Sequence, residues 1–151
     1  MTQGSFQFDS RARADELDRE INDLLVGRSG QWPLSKEAAD ILRRIQFCKG
    51  ASRARTIASL SQASGLNERK IKEVVSSLVI DYGLPIAGSR VPPYGYYLAI
   101  TAEEIEDAIH TLAGELRTIG RRVRALGGSH RLHELLGQIE LELNEGPQEA
   151  A

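Results

Sequence analysis

The stretch TIASLSQASGLNERKIKEVVSSL, residues 56–78, constrains the fold more than any other part of the chain. A small residue, Ser61, stands four before Gly65, and Ile71 and Val74 follow that glycine by six and nine. This is the spacing of two short helices joined by a tight turn. The small side chain lets the helices approach, the glycine takes the sharp turn, and the later apolar residues seat the second helix on the first. Thr56 is the predicted cap of a helix over 57–64, and Asn67 that of a second over 68–82. Ile71, Val74, Val75 and Leu78 form one apolar face of the second, and Gly83 ends it. Upstream, Ser35 caps a helix over 36–47 with Ala38, Ile41, Leu42 and Ile45 inward, and residues 51–55 form a short basic link.

After Gly83 the period changes. LPIAGSR and YGYYLAI read as two short strands around the loop Arg90-Val91-Pro92-Pro93-Tyr94-Gly95, whose two prolines suit a hairpin tip and not a central strand. The flanks are helical. Ala14, Leu17, Ile21 and Leu24 form a stripe over 10–25, capped by Asp9 or Ser10 and ended by Gly27 and Gly30, while residues 1–8 read as disordered. Thr101 and Glu104 spell a capping box. The helix it opens carries Ile105, Ile109, Leu112, Leu116, Ile119, Val123 and Leu126, a heptad stripe with steps of 4, 3, 4, 3, 4 and 3. Gly127-Gly128-Ser129 breaks it, a last helix over 130–143 shows Leu132, Leu135, Leu136 and Ile139, and the tail 146–151 reads as disordered.

Net charge is −2, but the charges are segregated. Residues 1–40 hold 5 basic and 8 acidic side chains, residues 41–100 hold 9 and 3, and residues 101–151 hold 5 and 10. A basic middle between acidic flanks is what a local polyanion site requires.

The segment from Arg55 to Ile109, RTIASLSQASGLNERKIKEVVSSLVIDYGLPIAGSRVPPYGYYLAITAEEIEDAI, resembles the winged helix-turn-helix domains of small phage, prophage and mobile-element proteins. In these, a helix-turn-helix leads into a "PI…GYYLA" hairpin and an acidic helix start. The resemblance covers about residues 35–126 and implies a mainly α fold with a small β-hairpin wing and extra N- and C-terminal helices. The expected division is an N-terminal helix and linker over 1–34, the winged domain over 35–100, heptad helices over 101–145, and the tail. One departure is the wing VPPYG, which is less basic than is usual in the group.

The function so implied is double-stranded DNA binding. With the apolar face of the 68–82 helix turned inward, Arg69, Glu73 and Ser76 project from the opposite face, flanked by Lys70, Lys72 and Ser77. A helix fits the major groove, where Arg is best shaped to read guanine; Lys70 and Lys72 suit phosphates, and Glu73 either accepts from cytosine or repels the backbone. Arg55, Thr56 and Asn67 sit at helix starts suited to phosphate, and Arg90 and Tyr94 extend from the wing. The same face also reads as a merely solvated one, or as the docking face of a protein-binding winged-helix adaptor. As a DNA binder the chain is expected to be a regulator or an accessory in phage or mobile-element replication or packaging.

The heptad stripe from Ile105 to Leu126 has two readings: an intramolecular core face against the 10–25 helix, or a homodimer interface, which is preferred because three heptads exceed what one small domain must cover. The terminal helices also offer a surface to a protein partner. His130 and His133 share a helical face, but no third ligand is evident, so no metal, cofactor or enzymatic activity is expected. Tyr96 and Tyr97 are expected to pack, one of them on the recognition helix. The single cysteine, Cys48, points to a reducing compartment; with no long apolar run, a cytoplasmic location and no membrane contact are expected.

Overall fold

A computed structural model describes residues 10–145. The expectations for residues 1–8, for a cap at Asp9 and for the tail 146–151 lie outside the described residues. The chain is mainly helical with one two-stranded antiparallel hairpin: α1 (Ser10–Leu25), α2 (Lys36–Ile45), a 3-10 turn (Ala51–Arg53), α3 (Ile57–Ser64), α4 (Glu68–Ile80), β1 (Ile86–Gly88), β2 (Tyr96–Leu98) and α5 (Ala102–Asn144), which is broken at Gly128. It divides into two units, one through Ala108 and one from Ile109.

Local chemistry explains where the helices of the first unit begin. The Ser35 hydroxyl accepts from the Ala38 amide, Thr56 from Ser59 and Asn67 from Lys70, at 3.1, 3.1 and 2.8 Å. Each satisfies one amide that the helix itself leaves open. Between α3 and α4, Gly65 is left-handed (φ 74°), and its amide donates to the Ser61 carbonyl at 2.9 Å. The Ser61 hydroxyl donates to the Leu66 carbonyl at 2.6 Å, so this residue ties the turn as well as being small.

The main core joins Ile21 and Leu24 of α1, Ala38, Ile41, Leu42 and Ile45 of α2, Leu60 of α3, the four inward residues of α4, and Leu84, Ile86 and Leu98. Thus α1 covers the helical core of the first unit. Ile21 and Leu24 of its stripe belong to that core, and Leu17 is buried as well. Burying ten large side chains fully, among them Leu17, Ile41 and Leu78, is the main favourable contribution here, at about 1.5–3 kcal/mol each before chain entropy is set against it.

β1 and β2 pair as Ile86↔Leu98, Ala87↔Tyr97 and Gly88↔Tyr96. The other edge of β2 is bonded too. Arg55 and Tyr96 exchange both backbone hydrogen bonds at 2.9 Å, Leu98 donates to the Cys48 carbonyl at 2.7 Å, and Gly50 donates to the Leu98 carbonyl at 2.9 Å. This accounts for one difference from expectation: helix α2 stops at Ile45 and not at Phe47, because residues 48–50 are drawn to β2. A second difference is local: α4 stops at Ile80, with Tyr82 beyond it, where left-handed Gly83 donates to the Val79 carbonyl and Leu84 to that of Leu78. A second, smaller cluster of Cys48, Ala54, Ala87, Tyr97 and Ala99 forms under this edge, with Ile105 and Ala108 packed on it.

Gly95 permits that contact. Its φ is +152°, and a Cβ there would overlap the Arg55 carbonyl. Gly95→Ala is therefore expected to lower the unfolding free energy by about 2–4 kcal/mol, whereas Gly88→Ala, which meets nothing within 4 Å, is expected to change it by less than about 1 kcal/mol. Chemical denaturation of the two variants measures the difference; equal effects would mean the Gly95 contact is unimportant.

In the second unit, Gly128 (φ 81°, ψ 171°) is the only non-helical residue within α5. The chain reverses about it. The place of a Cβ on Gly120 is 4.0 Å from Leu132 Cδ1, and Leu116 and Leu136 line one groove with them. In a straight helix the 120–132 separation would be about 18 Å. Residues 109–127 and 129–144 are thus the two arms of a helical hairpin.

Candidate nucleic-acid interface

Helix α4 buries Ile71, Val74, Val75 and Leu78, and this fixes which residues face out. Arg69, Lys70, Lys72, Glu73 and Ser76 are exposed and Ser77 is half-buried. Lys72, Glu73, Ser76 and Ser77 line one open surface groove together with Ile80 and Asp81. Arg55, Thr56, Asn67, Arg69, Lys70, Arg90 and Tyr94 are not among its lining residues.

The electrostatics of α4 are more balanced than the basic middle of the chain implies. Glu73 lies 3.4 Å from Arg69 Nε and 4.0 Å from Lys70 Nζ. Ser77 donates to Asp81 at 2.8 Å. From Glu68 to Asp81 there are three basic and three acidic side chains. Elsewhere in the unit Lys49 is held by Asp18 at 2.7 Å and Arg44 by Asp40 at 3.2 Å. Cations without such a carboxylate partner among the described residues include Arg53, Arg55, Lys72 and Arg90.

At the start of α3, Arg55 Nε donates to the Ser59 hydroxyl at 3.0 Å, while its backbone is held by β2. Thr56 and Asn67 use their side-chain oxygens as caps. The Thr56 hydroxyl proton and the Asn67 amide protons are still able to donate outward. Arg90 and Tyr94 stand exposed on the hairpin loop, where the Ser89 hydroxyl closes a turn onto the Val91 carbonyl at 2.7 Å. Sequence reading passed over Arg53, exposed on the 3-10 turn beside Arg55; its position in the basic link 51–55 was the available signal.

Tyr96 packs against the main core, to which α4 contributes, and Tyr97 belongs to the smaller cluster. Burial raises the pKa of both hydroxyls, and for Tyr97 the carboxylates of Glu104 and Asp107 add to it. Burial also raises the Cys48 thiol, partly opposed by Arg55. Groups shifted in this direction are poor nucleophiles near neutral pH. His130 lies 3.3 Å from Glu134, and among the described residues no group of three or more His, Cys, Asp or Glu is placed to hold a metal ion. No helix among the described residues is long and apolar enough to cross a membrane.

No protein-family model, curated protein or solved structure matches the chain.

The two caps orient the helices that carry the basic residues. Thr56→Ala and Asn67→Ala are each expected to lower stability by about 0.5–2 kcal/mol, with Thr56→Ser and Asn67→Asp close to wild type. Thermal unfolding checks this, and wild-type stability in both alanine variants would contradict the assigned caps.

Proposed function

We propose that the first unit is a winged helix-turn-helix domain that binds double-stranded DNA, with α4 as the recognition helix and the β1–β2 hairpin as the wing. The observation that carries this reading is the three-residue turn between α3 and α4, closed by left-handed Gly65 and followed by a hairpin bonded back to residues 48–55. A turn of that length presents the second helix of a pair outward, in the way major-groove insertion requires. Exposed Arg69 is then the base-reading side chain, Lys70 and Lys72 contact phosphates, and Arg53, Arg55, Arg90 and Tyr94 supply backbone contacts at the two flanks. Glu73, which holds Arg69, acts as a brake on non-specific binding. By its resemblance to phage and mobile-element domains, we place the protein as a cytoplasmic DNA-binding regulator or as an accessory in replication or packaging. The reading assigns it no reaction and no cofactor.

One observation favours a second reading, docking of a protein on the same face. Helix α4 is charge-balanced and exposes Ile80 at 77 % beside the groove. Fluorescence anisotropy with random duplex at low salt separates the two, and selection from a random duplex pool then gives the motif.

DNA binding is expected to weaken with salt by about −0.9 in the log–log slope for each phosphate contacted; a flat slope, or no binding at about 50 mM salt, would leave the adaptor reading. Arg69→Ala is expected to relax sequence preference by about 1–3 kcal/mol, and Lys72→Ala to weaken all sequences alike. Glu73→Gln releases Arg69 and Lys70 and is expected to raise non-specific affinity roughly two- to fivefold, the worth of an exposed ion pair. Sequence-blind losses from both Arg69 and Lys72 would mean that α4 is not inserted as described.

A further inference from the structure

The helical hairpin of the second unit is an apolar object with nothing buried inside it. Not one residue of α5 is buried, and Ile109, Leu112, Leu116, Ile119 and Leu126 are 52–91 % exposed. Leu136, Ile139, Leu141 and Leu143 of the second arm are also exposed. Gly114, Gly120 and Gly137 lie within the arms, and interior glycines weaken a helix. Arms of this composition need a partner to bury their apolar stripe.

The hairpin's charges indicate which partner. Residues 117–131, around the bend, hold five arginines and no acidic residue. Residues 132–145 hold Glu134, Glu140, Glu142 and Glu145 and no lysine or arginine, and residues 109–116 hold only Glu115. Arg131 pairs with Glu134 at 3.3 Å, but Arg117, Arg121, Arg122 and Arg124 pair with no carboxylate among the described residues. The element is therefore basic at its bend and acidic at its open end. A two-fold dimer requires a surface complementary to itself. Two copies laid antiparallel bring each basic bend onto the partner's acidic open end, while two laid parallel would crowd ten arginines together.

We propose that two copies of this chain pair through their hairpins, antiparallel, as a four-helix bundle that buries the stripe from Ile109 to Leu126. Each chain joins its hairpin at Ile109, so the two junctions lie at opposite ends of the bundle. The pairing does not rest on the DNA reading, since it is measured without DNA.

The test uses the full chain. Sedimentation equilibrium at tens of micromolar is expected to show a dimer whose dissociation constant rises about tenfold between about 50 and 500 mM salt, as screening removes the end-to-end attraction. Ser129→Cys places a spin label at the bend, the native Cys48 being buried. Two labels in an antiparallel dimer are expected roughly 25–30 Å apart, the length of a 19-residue arm. A monomer at both salts, a dimer that tightens with salt, or a label separation below about 15 Å each overturns the proposal.

Discussion

Strand β2 is three residues long and is hydrogen-bonded along both edges, and the first unit depends on that double pairing. One edge meets β1, the other the segment from Cys48 to Arg55. A two-stranded hairpin alone is marginal in water. Here the extra edge turns it into a small three-part sheet that bridges the end of α2 and the start of α3. The contact also sets where α3 begins, because Arg55 is bonded to Tyr96 immediately before Thr56 caps the helix. Glu104 extends the same tie to the next element. One of its carboxylate oxygens accepts from the Ala51 amide at 2.7 Å and the other from Ile100 at 3.1 Å. A capping residue of α5 thus also secures the 3-10 turn, and Ile105, one step along, packs on the cluster beneath it.

That last contact divides the heptad stripe. Its first member is engaged inside the first unit, whereas the members from Ile109 onward are not buried. A repeat that is continuous in sequence therefore serves two surfaces. Periodicity reports that a face is apolar, but it does not report what covers that face. The break at Gly128 adds a second apolar arm alongside the first, so the surface to be covered is a hairpin face and not a single helical seam.

What was legible in the sequence is what is decided within a few residues. The caps at Ser35, Thr56, Asn67 and Thr101, the left-handed glycines at 65 and 83, and the inward face of α4 all follow from local spacing and local chemistry. The change from helix to hairpin after Gly83 was legible for the same reason. What was not legible depends on partners far along the chain. Nothing near Phe47 announces that Cys48 will bond to Leu98, and nothing near Gly95 announces that it must clear Arg55. Stripe periodicity likewise could not place α1 on the core, since an apolar stripe fits any facing groove of the right shape.

Charge shows the same division most clearly. Counted along the chain, residues 41–100 are strongly basic. In space, Asp18 on α1 reaches Lys49, Asp40 reaches Arg44, and Glu73 sits between Arg69 and Lys70. Each pair is at least partly exposed, so each is a weak contribution to stability. Their larger effect is on the field outside the protein. A paired cation at the surface is nearly a dipole, whose potential dies away faster than that of a single charge screened over about 8–10 Å. Around α4 and the hairpin, the cations with no carboxylate partner among the described residues are Arg53 on the 3-10 turn, Arg55 before α3, Lys72 on α4 and Arg90 on the hairpin loop. If α4 reads DNA as proposed, these unpaired cations would supply the longer-range attraction, and Arg69 would have to leave Glu73 before it could contact a base. On that reading affinity and selectivity would be carried by different residues, and the acidic side chains, which net charge alone would count as opposing DNA binding, would separate them.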